Sequence, residues 1–166
     1  FSMGLNNQLD LALIGEGKPK FTHPSDKKNW DGLDLPWMAF GYGISLTPLQ
    51  TLTFYNAIAN NGKMVKPRFL TRVTSFDDII ESFETEIINP SICSDETISK
   101  VKQMMLNVVE KKHGTAHNIY EKNFSMAGKT GTCQTEYWKS PNLYISSFAG
   151  YFPADNPKYS CIVVIQ

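Results

Sequence analysis

The residues best placed to do chemistry are Ala127-Gly128-Lys129-Thr130-Gly131-Thr132, which set a cation and two hydroxyls close together. Phe124 and Met126 precede them at two-residue spacing, and Thr130 and Thr132 continue that period. The spacing predicts a strand from Phe124 to Cys133, with both threonine hydroxyls on one face. At a rise of about 3.3 Å per residue the hydroxyls stand roughly 7 Å apart. Both can then hydrogen-bond one anion such as a carboxylate, with Lys129 adding positive charge nearby. Gly131 lies between them, and a glycine inside a strand often marks the close approach of a ligand or another backbone.

Two other readings compete. One is a plain core strand in which Lys129 is a solvated surface residue. The other is a phosphate-binding loop, because Gly128-Lys129-Thr130 matches the end of G-x-x-x-x-G-K-[ST]. That pattern needs glycine where this chain has Asn123, and no helix signal follows Thr130. The phosphate cradle is therefore not expected.

Other literal matches carry less. Ser25 to Lys28 spells S-x-x-K, a serine nucleophile with a lysine one helical turn away. It follows Pro24 without apolar periodicity, so nothing supplies the buried helix that makes a lysine a base. Ser99 to Lys102 spells the same pattern, but Lys100 and Lys102 lie off the apolar stripe of their helix and are expected to face water. His113 and His117 have metal-pair spacing, yet Gly114 interrupts the helix and neither has an evident partner, so both are expected to be solvated. Cys93, Cys133 and Cys161 are too far apart for a zinc site or a disulfide framework and are read as free thiols.

The elements that must position the strand are legible in part. Residues 1–14 have a broken helical period (Leu5, Leu9, Ala12, Leu13), read as a short helix and turn. Gly15 to Pro36 reads as a long surface loop, pinned by Trp30 and Trp37. Thr47 as N-cap and Pro48 at the first position open a helix with Leu49, Leu52, Ile58 and Ala59 as its stripe, closed by Asn60-Asn61-Gly62. Val65 to Val73 and Ile79 to Ile88 read as a structural hairpin joined through Asp77-Asp78. A second helix starts at Ser94, with Asp95 and Glu96 in its first turn and Ile98, Val101, Met105, Val108 and Val109 as its buried stripe. His113-Gly114 closes it. After a loop through Trp138 and Pro141, Leu143 to Phe152 and Tyr159 to Ile165 read as strands about a turn at Pro153 to Pro157. With the strand at Phe124 to Cys133 they are expected to form one antiparallel sheet. The fold class is α+β, or mixed α/β: an antiparallel sheet packed with helices.

Composition narrows the partners. The chain has 166 residues, 42% of them hydrophobic and 12% aromatic, enough for one domain with its own core. Sixteen basic and sixteen acidic residues cancel, with no like-charge run longer than two residues, so no nucleic-acid partner is expected. The longest apolar run, Cys161 to Ile165, is far short of a bilayer span. The chain opens on Phe1 without an initiator Met and closes just after a strand-like run, which reads as a piece of something longer.

Five segments, in order, resemble a known family. They are Gly41-Tyr42-Gly43-Ile44-Ser45-Leu46-Thr47-Pro48-Leu49-Gln50; Ala57-Ile58-Ala59-Asn60-Asn61-Gly62; Val108-Val109 before Gly114-Thr115-Ala116; Ala127 to Thr132; and Ser147-Phe148-Ala149-Gly150-Tyr151-Phe152-Pro153. Together they look like the C-terminal part of a penicillin-binding protein transpeptidase domain. The detail resembles the class B, division-specific enzymes, and the stretch from Ser25 to Trp30 looks like a Bacteroidetes form of them.

The resemblance implies a partial β-lactamase/transpeptidase-like fold and a serine-type peptidoglycan D,D-transpeptidase, needing no cofactor and no metal. Its substrate would be a stem peptide ending in D-Ala-D-Ala, its inhibitors β-lactams, and its partners division-complex proteins at the periplasmic face of the inner membrane. Lys129 would sit beside the serine of an S-x-N motif, Thr130 and Thr132 would hold the substrate carboxylate, and the Thr132 N–H would donate one oxyanion hydrogen bond. Substrate would lie along Lys129, Thr130, Gly131 and Thr132 as an added strand. The family's S-x-x-K helix and S-x-N loop precede this strand and are expected upstream of Phe1. Ser140-Pro141-Asn142 spells S-x-N but follows the strand, and is read as coincidence. Resemblance also leaves open a D,D-carboxypeptidase or serine β-lactamase, or a β-lactam sensor without catalysis. The Thr47 to Gln50 helix start and the Ala59 to Gly62 ending look more like the high-molecular-mass synthases.

Overall fold

The structure, a computed structural model, describes residues 2–11, 13–135 and 143–166. After N-terminal turns come β1 (Lys20–Phe21), α1 (Asp34–Ala39) and β2 (Ile44–Ser45), with β2 antiparallel to β1. Next are α2 (Pro48–Ala59), β3 (Met64–Val65), β4 (Arg72–Ser75), β5 (Asp78–Ser82) and β6 (Ile87–Asn89). The chain continues through α3 (Asp95–Glu110) and a 3₁₀ turn at His117–Ile119, then ends in β7 (Ala127–Gln134), β8 (Tyr144–Phe152) and β9 (Tyr159–Ile165). The last three strands form one antiparallel sheet in chain order, as expected, which puts β7 at an edge among the described residues.

Both long helices start where capping predicts. The Thr47 hydroxyl accepts from the Gln50 N–H while the Gln50 side chain accepts from the Thr47 N–H, a reciprocal capping box. The left-handed Asn61 and Gly62 end α2, with the Gly62 N–H donating to Ala57 O at 2.7 Å. Ser94 caps α3 by accepting from the Thr97 N–H, and Asp95 and Glu96 lie in its first turn. α3 packs on β7, and α2 packs on β8 and β9. Between them lies a core of Ala57, Ile58, Met64, Ile98, Met105, Ala127 and Tyr151.

Tyr151 is fully buried and its hydroxyl has no partner among the described residues. Burial alone pushes its pKa up to about 12. A buried hydroxyl that makes no hydrogen bond keeps its desolvation penalty. Replacing Tyr151 with Phe should therefore raise the unfolding free energy by about 1 kcal/mol. The urea midpoint measures this, and a fall of that size instead would mean that the hydroxyl has a partner.

Several expectations need correction. Instead of a short helix, residues 2–7 form turns and bends, and residues 8–11 are irregular, without regular pairing, where the N–H groups of Leu9 and Leu11 go to the Glu16 carboxylate at 2.6 and 2.9 Å. Gly15 to Pro36 is not wholly loop, since it holds β1 and the start of α1. Trp37 is 42% exposed and packs tilted against Phe40 and edge-on to Tyr42 instead of pinning that segment. The buried face of α2 begins with Gln50 and Thr53, while Leu49 and Leu52 are only half-buried. These polar side chains are satisfied there: Thr53 donates to Leu49 O at 2.8 Å and Gln50 to Asn7 O at 3.3 Å.

The expected hairpin divides into two ladders, β3 with β6 and β4 with β5. Pro67, lacking an N–H, lies between them. The turn falls at Phe76-Asp77, with Phe76 at a φ of 52°, and Asp78 already belongs to β5. Lys102 is half-buried instead of fully turned to water. Its ammonium donates to Ala59 O at 3.1 Å and Asn61 Oδ1 at 2.7 Å, at the negative end of the α2 dipole, and desolvation lowers its pKa. Lys100 is at the surface, paired with Glu96 at 2.6 Å.

Candidate active-site strand

β7 forms because consecutive residues from Ala127 onward find partners on β8: Lys129 opposite Ala149, Thr130 opposite Phe148, Gly131 opposite Ser147 and Thr132 opposite Ser146. It begins later than the period from Phe124 predicts. Phe124 makes an isolated bridge with Glu121, and its ring packs on Phe152 with centroids 5.2 Å apart. No helix starts at Thr130, so the phosphate-loop geometry is absent here. A Cβ at Gly131 would lie 2.5 Å from Ser147 Oγ, a contact that rotation of the serine side chain can relieve.

The backbone of β7 shows which groups the edge presents. The Thr135 N–H donates inward to Leu143 O at 3.0 Å, whereas the Gln134 N–H donates outward to the Tyr42 hydroxyl at 3.3 Å. Backbone N–H groups alternate in direction along a strand. Those of Thr130 and Thr132 therefore point away from β8, as Gln134's does. Among the described residues nothing caps the Thr132 N–H, and Thr132 is exposed. Tyr42 thus closes one end of an open edge, with its ring against Trp37 and Phe40 at centroid distances of 5.4 and 5.6 Å.

Lys129 is exposed and shares a face with Ala127, opposite to that of the two threonines. Its ammonium turns toward the edge and donates to Thr130 O at 2.7 Å, lying 3.5 Å from Thr130 Oγ1. Beside it opens an apolar groove of about 360 Å³, lined by Phe54, Tyr55 and Ile58 of α2 and by Val101 and Met105 of α3. The Thr130 hydroxyl lies 2.7 Å from that of Thr115. Cation, hydroxyls and outward N–H thus converge on one edge that can take an extended, anionic chain.

Sequence reasoning missed Thr115 and Tyr42 as parts of this arrangement. Both stand next to glycine, at Gly114-Thr115 and Gly41-Tyr42-Gly43, where close backbone approach is expected. The remaining literal motifs stay apart from the strand. Ser25 Oγ bonds His23 Nδ1 at 2.6 Å in an exposed turn. Ser99 donates to Asp95 O at 2.9 Å while Lys102 reaches α2. His113 is exposed, but His117 is not merely solvated: its Nδ1 lies 3.1 Å from Val109 O and its ring stacks on Tyr120. Cys93, Cys133 and Cys161 are free thiols. Trp138 and Ser140-Pro141-Asn142 lie outside the described residues. Among the described residues no helix is long and apolar enough to cross a membrane.

Comparison with known proteins covers nearly the whole chain. The family profile described as the penicillin binding protein transpeptidase domain matches residues 2–166. Over 164 residues the chain is 31% identical to the peptidoglycan D,D-transpeptidase FtsI of Buchnera aphidicola, covering 98% of this chain and 27% of that protein. Penicillin-binding protein PbpB of Mycobacterium tuberculosis is 32% identical over 167 residues, covering 94% of this chain and 24% of that protein. The chain therefore spans about a quarter of the length of these relatives. Among solved structures, penicillin binding protein 3 of Mycobacterium tuberculosis, complexed with aztreonam, superposes with a TM-score of 0.83 at 31% identity over 98% of this chain and 37% of that one. With the profile matching almost end to end, and the fold shared at that similarity, this chain belongs to the penicillin-binding protein transpeptidase domain family.

Proposed function

We propose that these residues are the C-terminal portion of a single transpeptidase domain in a peptidoglycan D,D-transpeptidase, and that β7 is the wall on which it binds its donor peptide. The observation that carries this is the open β7 edge, where Lys129, Thr130 and the outward Thr132 N–H stand in register. A stem peptide ending in D-Ala-D-Ala would add along this edge as an extra strand, its carboxylate held by Thr130 and Thr132 and offset by the Lys129 charge. Its scissile carbonyl oxygen would take the Thr132 N–H as one of two oxyanion donors. β-Lactams would occupy the same positions.

The nucleophilic serine and its lysine base belong, on this reading, to sequence outside these residues. The apolar groove beside Lys129 suits a helix that brings them to the strand. The acyl group then passes to an amine on a neighbouring strand, after the terminal D-alanine leaves. This chemistry fits the periplasmic face of the inner membrane and a division complex.

Labelled penicillin applied to the full-length protein tests the proposal. One acyl-serine per chain, slow to hydrolyse, together with D-alanine release that depends on an added amine acceptor, is the expected result. Rapid return of free enzyme and hydrolysed product would instead make it a carboxypeptidase or β-lactamase. Labelling without any peptide turnover would make it a sensor.

A further inference from the structure

We infer that Thr115 is a positioning residue for the proposed carboxylate site: it donates to the Thr130 hydroxyl and thereby aims the Thr130 proton at the bound carboxylate. This inference rests on the transpeptidase reading above. The two hydroxyl oxygens are 2.7 Å apart, a good O–H···O distance, and either could be the donor. A carboxylate only accepts. If Thr130 is to bind one, its own proton must point outward, so the hydrogen between the two threonines must come from Thr115. The Lys129 ammonium, 3.5 Å from Thr130 Oγ1, adds positive charge on the same oxygen. Each hydrogen bond that this oxygen accepts makes its own O–H a stronger donor.

The loop that carries Thr115 is held firmly enough to act in this way. Gly114 sits against the end of α3, where a Cβ would lie 2.1 Å from Val108 O, so no larger residue fits without displacing the backbone. Ala116 is 2% exposed and its N–H donates to Val108 O at 3.1 Å. His117 follows, with its Nδ1 3.1 Å from Val109 O. Thr115 is therefore clamped on both sides by the last turn of α3, which itself packs on β7. A short loop without sheet pairing becomes a rigid extension of that helix, ending in one hydroxyl directed at the strand.

The test compares acylation of the full-length protein by two β-lactams, one with its free carboxylate and one with that group masked as an ester. Thr115→Val, which keeps the shape and removes the hydroxyl, should slow acylation by the free acid about ten-fold. It should leave acylation by the ester unchanged, and Thr115→Ser should restore the rate. In the double variant with Thr130→Val, loss of Thr115 should cost nothing further. Equal losses with acid and ester, or no recovery with serine, would reduce Thr115 to a structural role and overturn the inference. So would a Thr115→Val protein acylated at the wild-type rate while Thr130→Val is slowed, an outcome that leaves the transpeptidase reading standing. A full-length protein that takes up no penicillin at all would overturn both.

Discussion

Replacing Thr132 with Pro in the full-length protein should slow acylation by penicillin about 10²–10³-fold, the usual cost of losing one oxyanion donor. Proline removes the N–H and, with it, the Thr132 hydroxyl proposed to hold the carboxylate, neither of which bonds to β8 in the sheet. The Thr132 N–H points away from β8, so the β7–β8 ladder keeps its bonds, and edge strands tolerate proline there. Lys129→Ala should slow the same step strongly by a different route. It removes the charge beside the Thr130 hydroxyl and the link to Thr130 O, while the exposed side chain contributes little to the core. Stopped-flow or quenched labelling gives the acylation rate, and circular dichroism with thermal melting checks that each variant is folded. Folded variants that acylate at the wild-type rate would remove β7 from the active site.

The 166-residue chain by itself should form no penicillin adduct and release no D-alanine from a D-alanyl-D-alanine peptide. Serine acyl transfer needs the hydroxyl, its base and the oxyanion donors in one register, and residues that act as a unit leave no proportional share of activity when some are missing. The two complete S-x-x-K spellings supply neither partner. Ser25 is held by His23 in an exposed turn, and the hydroxyl of Ser99 and the ammonium of Lys102 are engaged with different helices. The apolar groove beside Lys129 should also promote self-association of the isolated chain. Intact-protein mass spectrometry after incubation with a β-lactam decides the matter. A stoichiometric adduct on any serine of this chain would mean that the nucleophile has been misplaced.

Much of the framework could be read from residue order because the signals are local. Thr47-Pro48 with Gln50, and Ser94 with Asp95 and Glu96, specify helix starts through groups only a few residues apart. Tyr159 to Ile165 reads as a strand from β-branched content alone, and its limits match β9. The Lys129, Thr130, Thr132 pattern gave, by period alone, a strand with both threonines on one face.

What periodicity could not reach was whatever depended on a distant partner. Lys102 looked solvated because its distance from Ala59 and Asn61 closes only when α3 packs beside α2. Gln50 and Thr53 had no place in the apolar stripe read for α2, yet both are buried, with Gln50 reaching the distant Asn7 carbonyl. The same holds at the site. Residue types and spacing determined that β7 carries a cation and hydroxyls at strand period. Only the tertiary structure decided that β7 is an edge and that the Thr132 N–H faces outward. It alone joined Tyr42 and Thr115 to the strand from far away in the chain, because a hydrogen bond needs its two atoms within about 3 Å and folding, not sequence distance, sets that separation.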